Sequence, residues 1–109
     1  MRLLHMLEAC GRMANFVEDR NREDLDRDEM LRLALQYLVL TIGEAAKHIP
    51  LETQAKALDI PWRAMAASRD RMAHGYFDIN LDMLWTMASV DIPALRDGLS
   101  RLLEQEGAE

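Results

Sequence analysis

The stretch from Asp28 to His48 carries apolar residues on more than one side of a helix, and this narrows the folds open to the chain. Leu31, Ala34, Leu35, Leu38, Ile42, Ala45 and Ile49 recur at three- and four-residue spacing and form one stripe. Leu33, Tyr37 and Leu40 load the opposite side, with Val39 between them. Such a helix needs partners on more than one side, so it is central in a bundle or part of a subunit interface. Gly43 suits close approach of a neighbouring helix. Glu44, in a largely apolar context, suits a basic partner such as an arginine of a later helix. Lys47 and His48 fit the helix C-terminus, where positive charge is favoured, and Pro50 then ends the helix. His48 is too near that end to be read as a ligand.

The rest of the chain repeats the helical period. From Leu3 to Asp19, the stripe Leu3, Leu7, Cys10, Ala14, Val17 runs beside Met6, Ala9, Met13, Phe16 and makes a wide apolar face, with His5 at the surface. Glu18 to Glu29 holds seven acidic residues and three arginines. It reads as a solvated loop with a short turn, in which Asp26 or Asp28 caps the next helix. A docking patch for a basic partner is the lesser reading. Leu51 to Leu58 forms a short amphipathic helix. Asp59-Ile60-Pro61-Trp62 then marks a boundary, since proline favours the first helical turn. A helix follows from Pro61 to Phe77, with Trp62 and Met65 in the core. Phe77 to Asn80 reads as a loop, and Asn80 as the cap of the last helix. That helix keeps Leu81, Leu84, Ala88, Ile92, Leu95, Leu99 and Leu102 in register, with Trp85 in the core. Pro93 predicts a kink or brief break near Asp91–Pro93. Gln105 to Glu109 is a fraying tail. The expected fold is all-α: one domain over residues 1–109, an up-and-down bundle of four to five helices.

Composition bounds the function. With 50% hydrophobic and 29% charged residues, the chain is an ordinary soluble globular protein. The single cysteine, Cys10, allows no intrachain disulfide and packs on an apolar face. The apolar start is broken by His5 and Glu8, so no leader peptide is expected. No apolar run reaches the length of a membrane span, so a cytoplasmic location without membrane association follows. There is no repeat, no glycine-rich phosphate loop and no Cys/His metal pattern, so neither a metal nor a cofactor is expected. The net charge of −6 opposes long-range capture of nucleic acid.

Against that acidity, the Pro61–Phe77 helix is locally basic: Arg63, Arg69 and Arg71 against Asp70. Its end reads Ser68-Arg69-Asp70-Arg71-Met72-Ala73-His74-Gly75-Tyr76. At about 100° per residue, Arg69 and His74 point about 140° apart, whereas Arg69 and Tyr76 share a stripe, as do Asp70 and His74. One straight helix cannot aim Arg69 and His74 at one small group. Gly75 could end the helix and let His74 and Tyr76 swing round. A second copy across a two-fold axis could pool both sets of side chains. The two together are expected, and a composite site of this kind requires a homodimer. Arginine forks onto phosphate and histidine exchanges protons near neutrality. The pair fits metal-independent RNA cleavage, in which a base activates the ribose 2′-OH for attack on the adjacent phosphate. Arg69 would stabilise the charge on the phosphoryl oxygens and His74 would act as general acid or base. RNA would be held locally, through Arg69 and Arg71 of both subunits.

Arg69-x4-His74-x-Tyr76, with polar Asp70 after the arginine, resembles the signature of the HepT-like ribonuclease family, part of the HEPN superfamily of α-helical RNA-acting domains. Ile42-Gly43-Glu44-Ala45-Ala46-Lys47, Ile60-Pro61-Trp62 and Leu84-Trp85 agree with it, so the landmarks run from about Leu31 to Leu95. The family's pattern more often has Asn after the arginine, and Asp70 makes this copy locally less basic. The resemblance implies a helical bundle that dimerises with the motif at its interface. It implies an endoribonuclease toxin of a toxin–antitoxin pair, with Arg69 and His74 catalytic and Asp70 and Arg71 supporting. It further implies an MntA-type nucleotidyltransferase antitoxin that silences the toxin by AMPylation of Tyr76. A phosphate-bearing adduct there would crowd the RNA site with negative charge. The competing class is a catalytically idle helical module that docks the nucleotidyltransferase, and a plain structural bundle comes third.

Overall fold

The structure is a computed structural model in which residues 2–74 and 80–106 are described. Every regular element among them is helical. In order they are α1 (Arg2–Val17), α2 (Asp24–Arg27), α3 (Glu29–Lys47), α4 (Leu51–Gln54), α5 (Trp62–His74), α6 (Leu81–Thr86), a π turn (Met87–Asp91) and α7 (Ile92–Gln105). The last three run on without a break, so four long helices carry the bundle and α2 and α4 are single turns.

α3 packs against α1 on one side and α5 on the other, and α7 lies against α1. This covers one side of the two-sided apolar pattern of α3: Leu31, Leu35, Leu38, Val39, Ile42, Ala45 and Ala46 are buried, whereas Leu33 and Tyr37 of the opposite side face solvent. Leu3, Met6, Met13, Leu84, Leu99 and Leu102 complete the core from α1, α6 and α7. Cys10 is fully buried there, and burial pushes its thiol up to about 12, so it stays neutral and inert. His5 is at the surface, as its spacing predicts. Phe16 departs from expectation: it sits at the end of α1 and stays partly exposed.

Side-chain caps start two of the helices. Asp28, not Asp26, caps α3 by accepting from the Leu31 N–H at 3.1 Å. Asn80 caps α6 by accepting from the Met83 N–H at 3.0 Å. The acidic stretch before α3 is tied down more firmly than a solvated loop. Arg20 pairs with Asp28 and Arg22 with Asp26 and Asp82, and Leu25 is fully buried beneath them.

The Leu51–Leu58 helix is shorter than its spacing predicts. It stops at Gln54, and Leu51 and Leu58 both face solvent. The core takes Ala57 and Ile60 instead. The buried Trp62 indole donates to the Ala57 carbonyl at 3.1 Å, which fixes the turn in a non-helical form.

Pro93 does not break the last helix. The Ile92 N–H reaches back five residues to the Met87 carbonyl, forming the π turn just before the proline. The spacing Leu84–Ala88–Ile92 asks for this. Eight residues at 100° overshoot two turns by about 80°, and a wider turn returns all three to the core. No described helix is long and apolar enough to cross a membrane.

Candidate active site

The site begins with an absence of side chain. Gly43 lies where α3 meets α5, and a Cβ there would stand 2.7 Å from the Met65 carbonyl oxygen and run into the Arg69 Cβ. Only glycine lets the two backbones come this close. The contact carries the next residue, Glu44, to the guanidinium of Arg69.

Arg69 is held from two sides. Glu44 Oε1 lies 3.1 Å from its Nε, and Nη1 donates to Asp70 Oδ1 at 3.2 Å. The Glu44 approach is a charge contact rather than an aligned hydrogen bond, and Oε1 is sealed from solvent. Each carboxylate has a second partner, Glu44 through its other oxygen and Asp70 through the same Oδ1. His48 Nε2 lies 3.1 Å from Glu44 Oε2, and Lys47 Nζ lies 3.6 Å from Asp70 Oδ1. The chain His48–Glu44–Arg69–Asp70–Lys47 thus sets two carboxylates against two fixed cations and one titratable ring. Both carboxyls are held below their usual range. For Glu44 the His48 contact is the main cause, helped by the charges of Arg69 and Lys47 and opposed by partial desolvation. For Asp70 the Arg69 hydrogen bond leads, with Lys47 adding to it. The Arg69 side chain keeps 30% of its surface exposed. Its Nη2 meets no carboxylate among the described residues, so the outer edge of the guanidinium can take an anion.

The other residues singled out from the sequence fall elsewhere. Arg71, two positions on, turns about 200° away from Arg69. It lines a separate groove of about 520 Å³ between α5 and the α6–π–α7 helix, beside Ser68, Met65, Met83 and Met87. Within one chain the two arginines therefore serve different surfaces. The backbone of His74 closes α5. Its side chain, with Gly75 and Tyr76, lies outside the described residues, and so do the expected helix end at Gly75 and the loop after Tyr76 up to Ile79. Among the described residues, no group of three or more His, Cys, Asp or Glu side chains is placed to hold a metal ion.

Lys47 was not read from the sequence as a partner of Asp70. One signal could have found it: Glu44, Lys47 and His48 lie on one stripe of α3 immediately after the glycine that admits α5.

Comparison with known proteins gives a consistent picture. The sequence model of a family described as Ribonuclease HepT-like matches residues 6–102. A protein of Caldanaerobacter subterraneus subsp. tengcongensis, named as a candidate RNase, is 32% identical over 95% of this chain and 93% of its own length. One from Thermococcus cleftensis, named as a candidate ribonuclease HepT, is 33% identical over 88% of this chain and 91% of its own. A third, from Methanocaldococcus jannaschii, is named as a gamma-glutamylcyclotransferase and candidate RNase. It is 30% identical over 94% of this chain, which spans 46% of that longer protein. No solved structure gives a significant match.

Proposed function

The chain belongs to the ribonuclease HepT-like family, and on that premise we propose that it is a metal-independent endoribonuclease. We further propose that it is the toxin of a toxin–antitoxin pair and that an MntA-type nucleotidyltransferase silences it by AMPylation of Tyr76. The observation that carries the nuclease reading is Arg69. Its guanidinium is anchored at a helix–helix contact, partly exposed, with an edge left for an anion.

The reaction needs only this chain's residues and the RNA. The ribose 2′-oxygen bonds to phosphorus while the bond from phosphorus to the 5′-oxygen breaks. A base removes the 2′-OH proton and an acid supplies one to the leaving oxygen. His74 serves as one of these, an effect worth roughly 10²–10⁴ in rate. Arg69 meets the charge that builds on the non-bridging oxygens.

A homodimer completes the site. Met30, Leu33 and Tyr37 form an outward stripe on α3 and remain 81%, 56% and 67% exposed in the single chain. The same stripe continues through Thr41 to Glu44 and His48, at the Arg69 cluster. An apolar row ending at a charged site favours a second copy as its cover. That copy would supply the His74 that, by its five-residue spacing, shares no stripe with Arg69 on one helix.

The nature of the RNA ends tests the chemistry. Short RNAs cut by the protein should carry 2′,3′-cyclic phosphates, and 2′-O-methylated copies should resist. Ends bearing 5′-phosphates, or equal cutting of the methylated RNA, would contradict the proposal.

A further inference from the structure

We propose that Glu44 is the positioning residue for Arg69: from α3 it fixes Nε, so that the Nη1–Nη2 edge meets the phosphate, and Asp70 is the carboxylate which that phosphate displaces. The inference rests on the nuclease reading above and gives the two carboxylates different work.

Glu44 is placed to stay. It comes from a different helix, and the Gly43 contact sets its distance from α5. Its Oε1 is closed to solvent and its Oε2 is taken by His48. Asp70 is placed to leave. It neighbours Arg69 on the same helix, and Lys47 waits 3.6 Å away as a second cation. An incoming phosphate seeks two parallel N–H donors on one guanidinium edge. With Glu44 on Nε, the complete edge available is Nη1–Nη2, and among the described residues Asp70 is the carboxylate on it. Arginine is long and flexible, so a partner that fixes it before the substrate arrives raises the turnover step rather than simple affinity.

The test combines steady-state cleavage of a short RNA with the ¹⁵N-detected Nε–H signal of Arg69, for the wild type and the variants Glu44→Gln, Glu44→Ala, Asp70→Asn and Arg69→Ala. Folding of each is checked by circular dichroism. Glu44→Ala should lower kcat roughly 10- to 100-fold with little change in KM. Glu44→Gln, which keeps an oxygen in place, should recover part of the loss. Asp70→Asn should lower KM by about 2- to 5-fold, the scale of one exposed charge contact. The Arg69 Nε–H signal should shift in both Glu44 variants and much less in Asp70→Asn. A Glu44→Ala protein that turns over like wild type while Arg69→Ala is dead would overturn the positioning role. An Nε–H signal unmoved by either Glu44 change would overturn it too. If Arg69→Ala itself cleaves normally, the nuclease reading has failed and takes this role with it, while the Nε–H signal still reports whether Glu44 holds the guanidinium.

Discussion

Gly43→Ala is the smallest change that reads the contact between α3 and α5. The obstructing groups are a backbone carbonyl and the Cβ of Arg69, neither the free end of a flexible chain, so the helices must part. Overpacking of this kind costs roughly 1–3 kcal/mol, less the gain of about 1 kcal/mol from alanine's helix propensity. Urea unfolding should show a net loss of up to about 2 kcal/mol, and RNA cleavage should fall further because Arg69 moves with α5. Acid tests the same cluster. Glu44 and Asp70 both ionise more readily folded than unfolded, so the folded form binds fewer protons. Their contribution is complete above the ordinary carboxylate range, about pH 4–4.5, and is lost as pH falls through the lower folded values. The difference in Tm between wild type and Asp70→Asn should therefore be present at pH 7 and shrink as pH falls below about 4. Glycine beside a lone glutamate made the Glu44 pairing legible in the sequence. For the Lys47–Asp70 pairing the sequence holds only the stripe that Lys47 shares with Glu44 and His48; which carboxylate it meets depends on where two helices cross.

Elements were legible where the apolar period was long. α1, α3, α5 and the last helix lie where their stripes predict, and Asn80 and Asp28 cap as expected. Short segments were harder to read, because one or two tertiary contacts outweigh a weak pattern. Leu51 and Leu58 are ceded to solvent once Trp62 claims the Ala57 carbonyl. Leu25 was hidden among charges, yet it seals the base of the acidic segment. The Pro93 region shows a different limit: the sequence marked a disturbance, but only packing of Leu84, Ala88 and Ile92 selects a π turn over a break. The caps give a clean comparison. Asp28→Ala, which loses the cap and an exposed pair with Arg20, should cost about 1–2 kcal/mol in chemical unfolding. Asp26→Ala, which loses only an exposed pair with Arg22, should stay within about 0.5 kcal/mol.

At the scale of the molecule, α3 answers the constraint that its sequence set. One part of its circumference is buried between α1 and α5, and the other is the uncovered row Met30, Leu33, Tyr37. Replacing Leu33 and Tyr37 by Asp should yield a monomer in sedimentation while thermal stability changes little, since neither side chain packs within the chain. Cleavage should be lost along with the dimer. A double variant that stays dimeric would move the interface elsewhere. Against the net charge of −6, the proposed RNA contact runs through a few local cations, so cleavage should weaken as salt rises.

The most direct test is cleavage of a mixed cellular RNA pool in EDTA by wild type, Arg69→Ala and His74→Ala, each shown to be folded and dimeric. Wild type should cut without added metal, and each variant should lose roughly 10²–10⁴ in rate. Equal cleavage by all three, or cleavage only when a divalent cation is restored, would contradict the proposed mechanism.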